Sequence, residues 1–258
     1  MLQTQEIASK VAHIGITMES MQDRKIIATY LTGSRGYKLN NVNSDYDLLV
    51  ITTDSPKDLL TNQTYSKQFI FTENTVKFDI TFYDFRTFYN QINKRSLKAF
   101  EILYSKPLYL IDIIPSYSHM MKEIVDNSTS LAQLQLLNLY KATGGLIQKM
   151  QTIKKHNRDK DIALPFIYLN MIQQQIDHKF PLSIDMSHNE KIVEIRKKGE
   201  LGINNSEKLA LLKIADVNWK NIKSNVYQEV NNINNFYSNL QNTLENNIAN
   251  YYNLLTRK

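Results

Sequence analysis

The sequence predicts an α+β fold, in which a mixed sheet with helices is followed by an all-helical second half. Strand-like and helix-like segments alternate up to about Pro115, whereas apolar residues recur only at helical spacing after it. The 258 residues include only 7 Gly and 5 Pro, so tight turns are few and a many-stranded sandwich or barrel is disfavoured. The predicted domains are therefore 1–115 and a helical domain, 116–258.

The first half is predicted to contain an amphipathic helix, two strands around a polar loop, a short helix, a strand pair, a longer helix and a last short strand. Their ranges, in that order, are 5–22, 25–32, 47–53, 54–66, 69–72, 76–83, 84–105 and 107–113. Ser55 is a suitable cap for the short helix, with Pro56 at its first position. Asp84 is the expected cap of the longer helix.

The second half is predicted to be helical over 131–150, 161–178, 188–198 and 206–258. The last stretch, 206–258, has an apolar residue every three or four positions from Val226 to Leu255, which predicts one long amphipathic helix or a kinked pair over 206–258. Such a helix can pack within the chain or pair with a second copy, so an oligomer through it is an open alternative. Trp219 is predicted to lie in the core or between helices.

Composition limits the class of function. The chain has 31 basic and 25 acidic residues, a formal charge of +6 and a pI near 9.2, which indicates an anionic partner. Cys is absent, which excludes disulfides, thiolate zinc sites and cysteine nucleophiles. The sequence has neither an apolar run of membrane-spanning length nor a signal-peptide pattern at its start, so a cytoplasmic protein without membrane contact is expected.

Three carboxylates on two predicted strands are the strongest chemical signal. Asp45 and Asp47 stand two apart, so strand alternation puts them on one face, and a neighbouring strand can bring Asp79 beside them. Asp79 lies within the largely apolar run VKFDITFY, where a charge is costly unless a cation pairs with it. Oxygen ligands alone suit Mg²⁺ or Mn²⁺ together with a bound triphosphate.

The end of the first strand has the composition of a phosphate-binding turn. Gly33 lets the backbone approach a phosphate closely, Ser34 offers a hydroxyl, and Arg35 offers a positive charge. Each of these features by itself more often belongs to an ordinary solvated turn. The ordered combination of Gly-Ser, Asp-x-Asp and a later strand Asp is what predicts a site.

The run LTGSRGYKLNNVNSDYDLLV, followed by KFDITFYD, resembles the nucleotidyltransferases of the DNA polymerase β superfamily. More narrowly it resembles the predicted nucleotidyltransferases of bacteria and phages, and the matching segments are SDYDLLV, FDITFYDFRTF and AFEILYS. The likeness covers about residues 25–110. Gly36 replaces a usual Ala, and Leu48-Leu49 replaces the Arg-Gly after the second Asp, so the resemblance does not carry substrate identity.

The resemblance implies transfer of a nucleoside monophosphate from an NTP to a hydroxyl, with release of pyrophosphate. It implies that Gly33 and Ser34 hold the β and γ phosphates and that Asp45 and Asp47 bind two divalent metal ions. Asp79 would ligate the second ion and help to activate the attacking hydroxyl, as in two-metal phosphoryl transfer.

The densest basic stretch lies in the helical half, where such runs usually form solvated faces. Because the helical part of polymerase β-like enzymes often presents the acceptor, four of its residues are candidates for contact with RNA phosphates. They are Lys154, Lys155, Arg158 and Lys160. A protein hydroxyl is the alternative acceptor, and a small molecule is a third. Outside catalysis, a silent nucleotide- or nucleic-acid-binding scaffold and a structural oligomer remain open.

Overall fold

The computed structural model of the chain confirms the α+β prediction, with a five-stranded mixed sheet and a helical second half. The described residues are 6–7, 9–11, 13, 21, 23–93, 96–110, 115–152, 159–179, 182–237, 242–243, 246–247 and 249–250. Part of the predicted N-terminal helix, the stretch 153–158 and most of the chain after 237 lie outside them. The division into domains after residue 115 stays a prediction.

The sheet has the strand order β3-β4-β2-β1-β5. Its strands are β1 (Ile26–Thr32), β2 (Tyr46–Thr52), β3 (Ser66–Glu73), β4 (Val76–Asp84) and β5 (Tyr109–Leu110). β2 and β4 run parallel, and the other pairs are antiparallel. The four longer strands were predicted within a few residues, because β-branched and aromatic runs end at polar turns.

The helices of the described residues follow the predicted order. They are α1 (Gly33–Gly36), α2 (Pro56–Thr61), α3 (Phe85–Asn93), α4 (Leu97–Leu103), α5 (Pro115–Asp126), α6 (Ser128–Leu134), α7 (Leu136–Thr152), a 3₁₀ helix (Asp159–Ala163), α8 (Leu164–Ile176), α9 (Glu190–Leu201), α10 (Asn205–Asn221) and α11 (Lys223–Tyr237). None of them has the length and apolar character needed to cross a lipid bilayer.

The capping residues explain where the observed helix boundaries agree with the predicted ones and where they differ. Ser55 accepts a hydrogen bond from the Asp58 amide, as predicted, and Asp84 accepts one of 2.7 Å from the Thr87 amide. The helix predicted over 84–105 is instead two helices, because the Ser96 hydroxyl accepts from the Ala99 amide and starts α4. The turn at 33–36, predicted as loop, is the short α1.

Both faces of the sheet are buried at its centre. On one face, Leu48 and Val50 of β2 pack with Ile80 of β4 and with Val11 near the N-terminus. On the other face, Leu49 and Ile51 belong to a core that continues through the helices of the second half. Burial on both faces explains the unbroken apolar run of β2, since a strand covered on one side alternates instead.

The helical half packs directly against the sheet and thereby fixes the cleft between them. Trp219 of α10 stacks on Tyr140 of α7 with ring centroids 5.0 Å apart and donates a 2.9 Å hydrogen bond to its carbonyl. Trp219 is therefore an interhelical contact, as predicted. The last helix is interrupted at Ile222, which confirms the kinked-pair alternative over the residues described.

Candidate active site

A cleft of about 260 Å³ between the sheet and the helical half brings most of the predicted site together. The sheet side contributes Gly33, Ser34, Asp45, Asp47, Lys77 and Asp79, and the helical side contributes Lys160, Asp161, Ala163, Leu164, Ile167, Tyr168 and Arg196. Tyr37, Leu39 and Glu101 line the space between these walls. The cleft therefore depends on both halves of the chain.

Parallel pairing places two of the carboxylates side by side. Asp47 of β2 and Asp79 of β4 are direct register partners, and Asp47 is also opposite Thr32, the last residue of β1. Asp45 comes just before β2, two residues from Asp47. Adjacent strands lie about 4.8 Å apart, so partners in register bring their side chains together. Strand register thus places Asp79 beside Asp47, and all three carboxylates line the cleft.

Asp47 is the electrostatic centre of the group. Burial raises the pKa of its carboxyl, and the neighbouring carboxylates of Asp79 and Asp45 raise it further. Lys160 and Lys98 act in the opposite direction and hold the pKa of Asp47 lower than it would otherwise be. Burial and the two neighbouring carboxylates therefore both disfavour the charged form of Asp47, and a bound cation would offset that cost.

The donor set suits a hard cation, although the side chains are not arranged as a closed ligand shell. Asp45 accepts from the Lys77 ammonium at 2.9 Å, and both Asp79 oxygens accept from the Gln68 amide at 2.7 and 2.9 Å. Within the part of the chain that the structure describes, no three His, Asp or Glu side chains are close enough to hold a metal. Lys77 and Gln68 are exposed partners, which a divalent ion can displace at small cost.

Gly33 is required by the geometry of the turn between β1 and α1. Its φ is +61°, in the left-handed region that favours glycine. A Cβ placed on Gly33 would collide with the carboxylate of Asp47. The backbone of the predicted phosphate turn therefore lies directly against the central carboxylate, and only a residue without a side chain permits it.

We expect Gly33→Ala to lower the free energy of unfolding by about 2 kcal/mol, from backbone strain and displacement of the Asp47 carboxylate. Chemical denaturation measures this change. The matched control is Gly145→Ala on the exposed side of α7, where an added Cβ meets no atom within 4 Å. That control should gain about 0.5–1 kcal/mol from helix propensity. Equal effects of the two substitutions would contradict the close approach of Gly33 to Asp47.

The other two predicted phosphate-turn residues are placed differently. Ser34 lines the cleft, as predicted. Arg35 is instead 9% exposed, and its guanidinium donates to the carbonyls of Ser44 and Asp45 while stacking 3.9 Å from the Tyr46 ring. The structure does not bring Arg35 into the cleft. Its observed contacts hold the loop that carries Asp45, because the carbonyls of two successive loop residues take its hydrogen bonds.

Of the four predicted acceptor-binding residues, the described part of the chain contains Lys160. It lines the cleft from the 3₁₀ helix, and its charge acts on Asp47. Lys154, Lys155 and Arg158 lie outside the described residues. A basic residue of the helical half thus faces the carboxylates, as the sequence pattern indicated for this stretch.

Glu101 is a site residue that the sequence did not single out. It lies on α4, and its Oε1 accepts hydrogen bonds from the hydroxyls of Tyr37, at 2.5 Å, and Tyr168, at 2.9 Å. Burial raises the pKa of the Glu101 carboxyl, while both tyrosine hydrogen bonds lower it. One feature of the sequence could have indicated Glu101: its carboxylate lies between two apolar residues, Phe100 and Ile102, in the segment AFEILYS.

Comparisons with known proteins add little beyond this geometry. The chain matches no protein-family model and no curated protein. Six chains of solved structures match it. One is a nucleotidyltransferase-like protein from Exiguobacterium sibiricum 255-15, which is 12% identical over 89% of this chain and 77% of that chain, with a TM-score of 0.30. So distant a likeness carries no assignment of function.

Proposed function

We propose that the protein is a metal-dependent nucleotidyltransferase, which moves a nucleoside monophosphate from an NTP to a hydroxyl and releases pyrophosphate. The observation that carries this proposal is the register pairing of Asp47 with Asp79 directly against the positive-φ turn at Gly33. Carboxylates beside a backbone turn that only glycine can form are what a metal–triphosphate complex requires.

Each wall of the cleft has a distinct part in this proposal. Asp45, Asp47 and Asp79 would hold Mg²⁺ or Mn²⁺, whose charge would offset that of the triphosphate. The backbone at Gly33 and the Ser34 hydroxyl would bind phosphate oxygens. Lys160 forms no ion pair with any described residue, so its charge is available to a phosphate across the cleft. Asp79, which pairs in register with Asp47, would help to activate the attacking hydroxyl.

The acceptor is proposed to bind against the helical wall. This wall faces the carboxylates and carries Lys160 and Arg196, and the chain as a whole has a charge of +6. An RNA end suits these charges, because phosphates flank its hydroxyl. A protein hydroxyl is the alternative acceptor, because any hydroxyl that reaches the bound triphosphate could be used.

A catalytically silent scaffold is the second candidate. The observation that favours it is the engagement of two predicted metal ligands by protein partners, Asp45 by Lys77 and Asp79 by Gln68. In that case the cleft would bind nucleotide or RNA without metal. Calorimetry separates the two functions: enzyme-type binding of NTP requires Mg²⁺ and fails in Asp45→Asn, whereas scaffold-type binding is independent of both.

Labelled NTPs, incubated with Mg²⁺ and separately with RNA, protein or small-molecule pools, test the transferase directly. We expect wild type to transfer label to one of the three pools, and a chelator or the double variant Asp45→Ala/Asp47→Ala to abolish it. Asp216→Ala, an exposed change on α10, is the matched control and should retain full activity. Transfer that survives loss of both Asp45 and Asp47 would contradict the metal mechanism, and mass spectrometry of the labelled product identifies the acceptor.

A further inference from the structure

Glu101 joins the two halves of the chain beneath the cleft. Tyr37, just after α1, and Tyr168, on α8, both donate their hydroxyl hydrogens to the same oxygen, Oε1. Two phenol donors from different elements fix the plane of the carboxylate, because each restricts its rotation. Glu101 is thereby held in one orientation without any contact to the carboxylates of the sheet.

The second oxygen of this carboxylate is open to the cleft. Among the described residues, no donor contacts Oε2 of Glu101. The Glu101 side chain is half-buried, so its carboxylate keeps access to the cleft. Glu101 lines both the main cleft and an adjoining cavity beside Leu97 and Lys98. A rigidly held acceptor atom that faces a cavity is a ready hydrogen-bond partner for a ligand.

The walls around Glu101 differ from the phosphate end of the cleft. Leu164, Ile167 and Tyr168 fall on one face of α8, since they are three and four residues apart, and all three line the cleft. The cleft therefore has carboxylates at the sheet end and, beside Glu101, an apolar strip on a helical wall that also carries Lys160, Asp161 and Arg196. A ligand that fills both the sheet end and the region beside this strip has a phosphate at one end and a less polar, hydroxyl-bearing group at the other.

A neutral donor suits Glu101 better than a cation. The positive charge of Lys98 already acts on this carboxylate. The remaining need of Oε2 is one hydrogen bond, which a hydroxyl supplies without adding a desolvated charge. An ammonium group would instead meet the positive charges of Lys160 and Arg196, which line the same cleft.

We propose that Glu101, oriented by Tyr37 and Tyr168, is a specificity-determining residue that accepts a hydrogen bond from a sugar hydroxyl of the substrate. This inference rests on the proposed nucleotidyl transfer. It identifies a sugar hydroxyl as the group that is recognised beside the apolar strip of α8. The sugar can belong to the NTP or to an RNA acceptor, and the chemistry at Glu101 is the same in both cases.

The test compares wild type with Glu101→Gln, which keeps the shape and the two tyrosine hydrogen bonds but removes the charge. Dissociation constants with Mg²⁺ are measured for the four NTPs and for their 2′-deoxy and 3′-deoxy forms. We expect wild type to favour a ribonucleotide, and Glu101→Gln to reduce that preference roughly 5- to 10-fold, because the amide nitrogen that takes the place of Oε2 is a donor and cannot accept the hydroxyl hydrogen. Tyr168→Phe, which frees the carboxylate to rotate, should reduce it in the same direction.

The second arm uses a short oligoribonucleotide and the same oligonucleotide with a 3′-deoxy end. If the hydroxyl comes from the acceptor, Glu101→Gln changes the KM ratio of these two and leaves the NTP ratios unchanged. Glu194→Gln, an exposed change on α9, is the control for both arms. Unchanged ratios in both arms overturn the role of Glu101 while NTP binding persists, whereas loss of Mg²⁺-dependent NTP binding in wild type overturns the proposed function itself.

Discussion

Asp47→Asn is expected to reduce nucleotidyl transfer at least about 100-fold and, at the same time, to make the protein more stable. The loss of activity follows because even outer contacts of a metal site are worth 10- to 100-fold, and Asp47 is the central carboxylate. The gain in stability follows because Asp47 is pressed against Asp79 and Asp45 in a partly buried site, which raises the pKa of Asp47. Removing such a charge typically raises the free energy of unfolding by about 1 kcal/mol, which corresponds to a rise of about 2–4 °C in the thermal unfolding midpoint.

The sign of the pH dependence follows from the direction of that shift. A carboxyl with a raised pKa binds its proton more tightly in the folded state than in the unfolded state. Wild-type stability from this group is therefore highest in acid and falls as pH rises from the ordinary range of an aspartate through the raised pKa of Asp47. The advantage of Asp47→Asn should grow over that interval and stay constant above it, and thermal unfolding between pH 4 and 8 measures it.

Two further measurements separate this explanation from a general effect of substitution. Mg²⁺ should raise the unfolding midpoint of wild type and leave Asp47→Asn unchanged, because only a bound ion stabilises by mass action. Asp216→Asn, at an exposed ion pair on α10, should change neither activity nor midpoint by a measurable amount. An Asn variant that is less stable than wild type at neutral pH would contradict the crowding of carboxylates around Asp47.

The central strands and their carboxylates were predictable because the signals are local. Apolar runs rich in β-branched and aromatic residues define β2 and β4, and the Asp-x-Asp spacing puts two carboxylates on one face of a strand. The positive φ of Gly33 could be expected of a glycine at a strand end. The sequence could not show that Asp47 and Asp79 are direct register partners, since register is set by packing between elements distant in the chain.

The contacts that the sequence missed depend on how separate segments fold against one another. Glu101 meets a tyrosine 67 residues further along the chain. Arg35 was predicted to contact a phosphate, because an arginine beside a glycine turn has the chemistry for it. In the structure its hydrogen bonds go to nearby backbone carbonyls, and no local pattern reveals which carbonyls a folded loop leaves unpaired. Such residues are found only once the loop and the helices are in place.

The largest effect on stability is expected at Arg24, beneath the other end of β2 and β4. Its side chain is only 5% exposed, pairs with Asp58, and approaches the fully buried Asp84 at 4.0 Å. The guanidinium also lies 4.1 Å from the ring of Tyr65 and donates to the Thr53 carbonyl at 3.3 Å. One cation therefore offsets two carboxylates that have little access to water.

Arg24→Met should lower the free energy of unfolding by about 3–5 kcal/mol, because it keeps the apolar stem and leaves buried carboxylates without their cation. Urea denaturation measures this as a lower midpoint at an unchanged slope. The double variant Arg24→Met/Asp58→Leu should recover part of the loss, since replacing both members of a buried pair removes the uncompensated charge.

Lys220→Met is the matched control, because the Lys220 ammonium pairs with Asp216 at 2.6 Å but its side chain is 64% exposed. An exposed pair of this kind contributes about 0.5 kcal/mol or less, so equal losses at Arg24 and Lys220 would contradict the buried network.

The strand register links Arg24 to the cleft. Asp84 is the β4 partner of Thr52, five positions along the same ladder from Asp79 and Asp47. Arg24 therefore stabilises the pairing that holds the two site carboxylates together, and weakening it should also reduce nucleotidyl transfer.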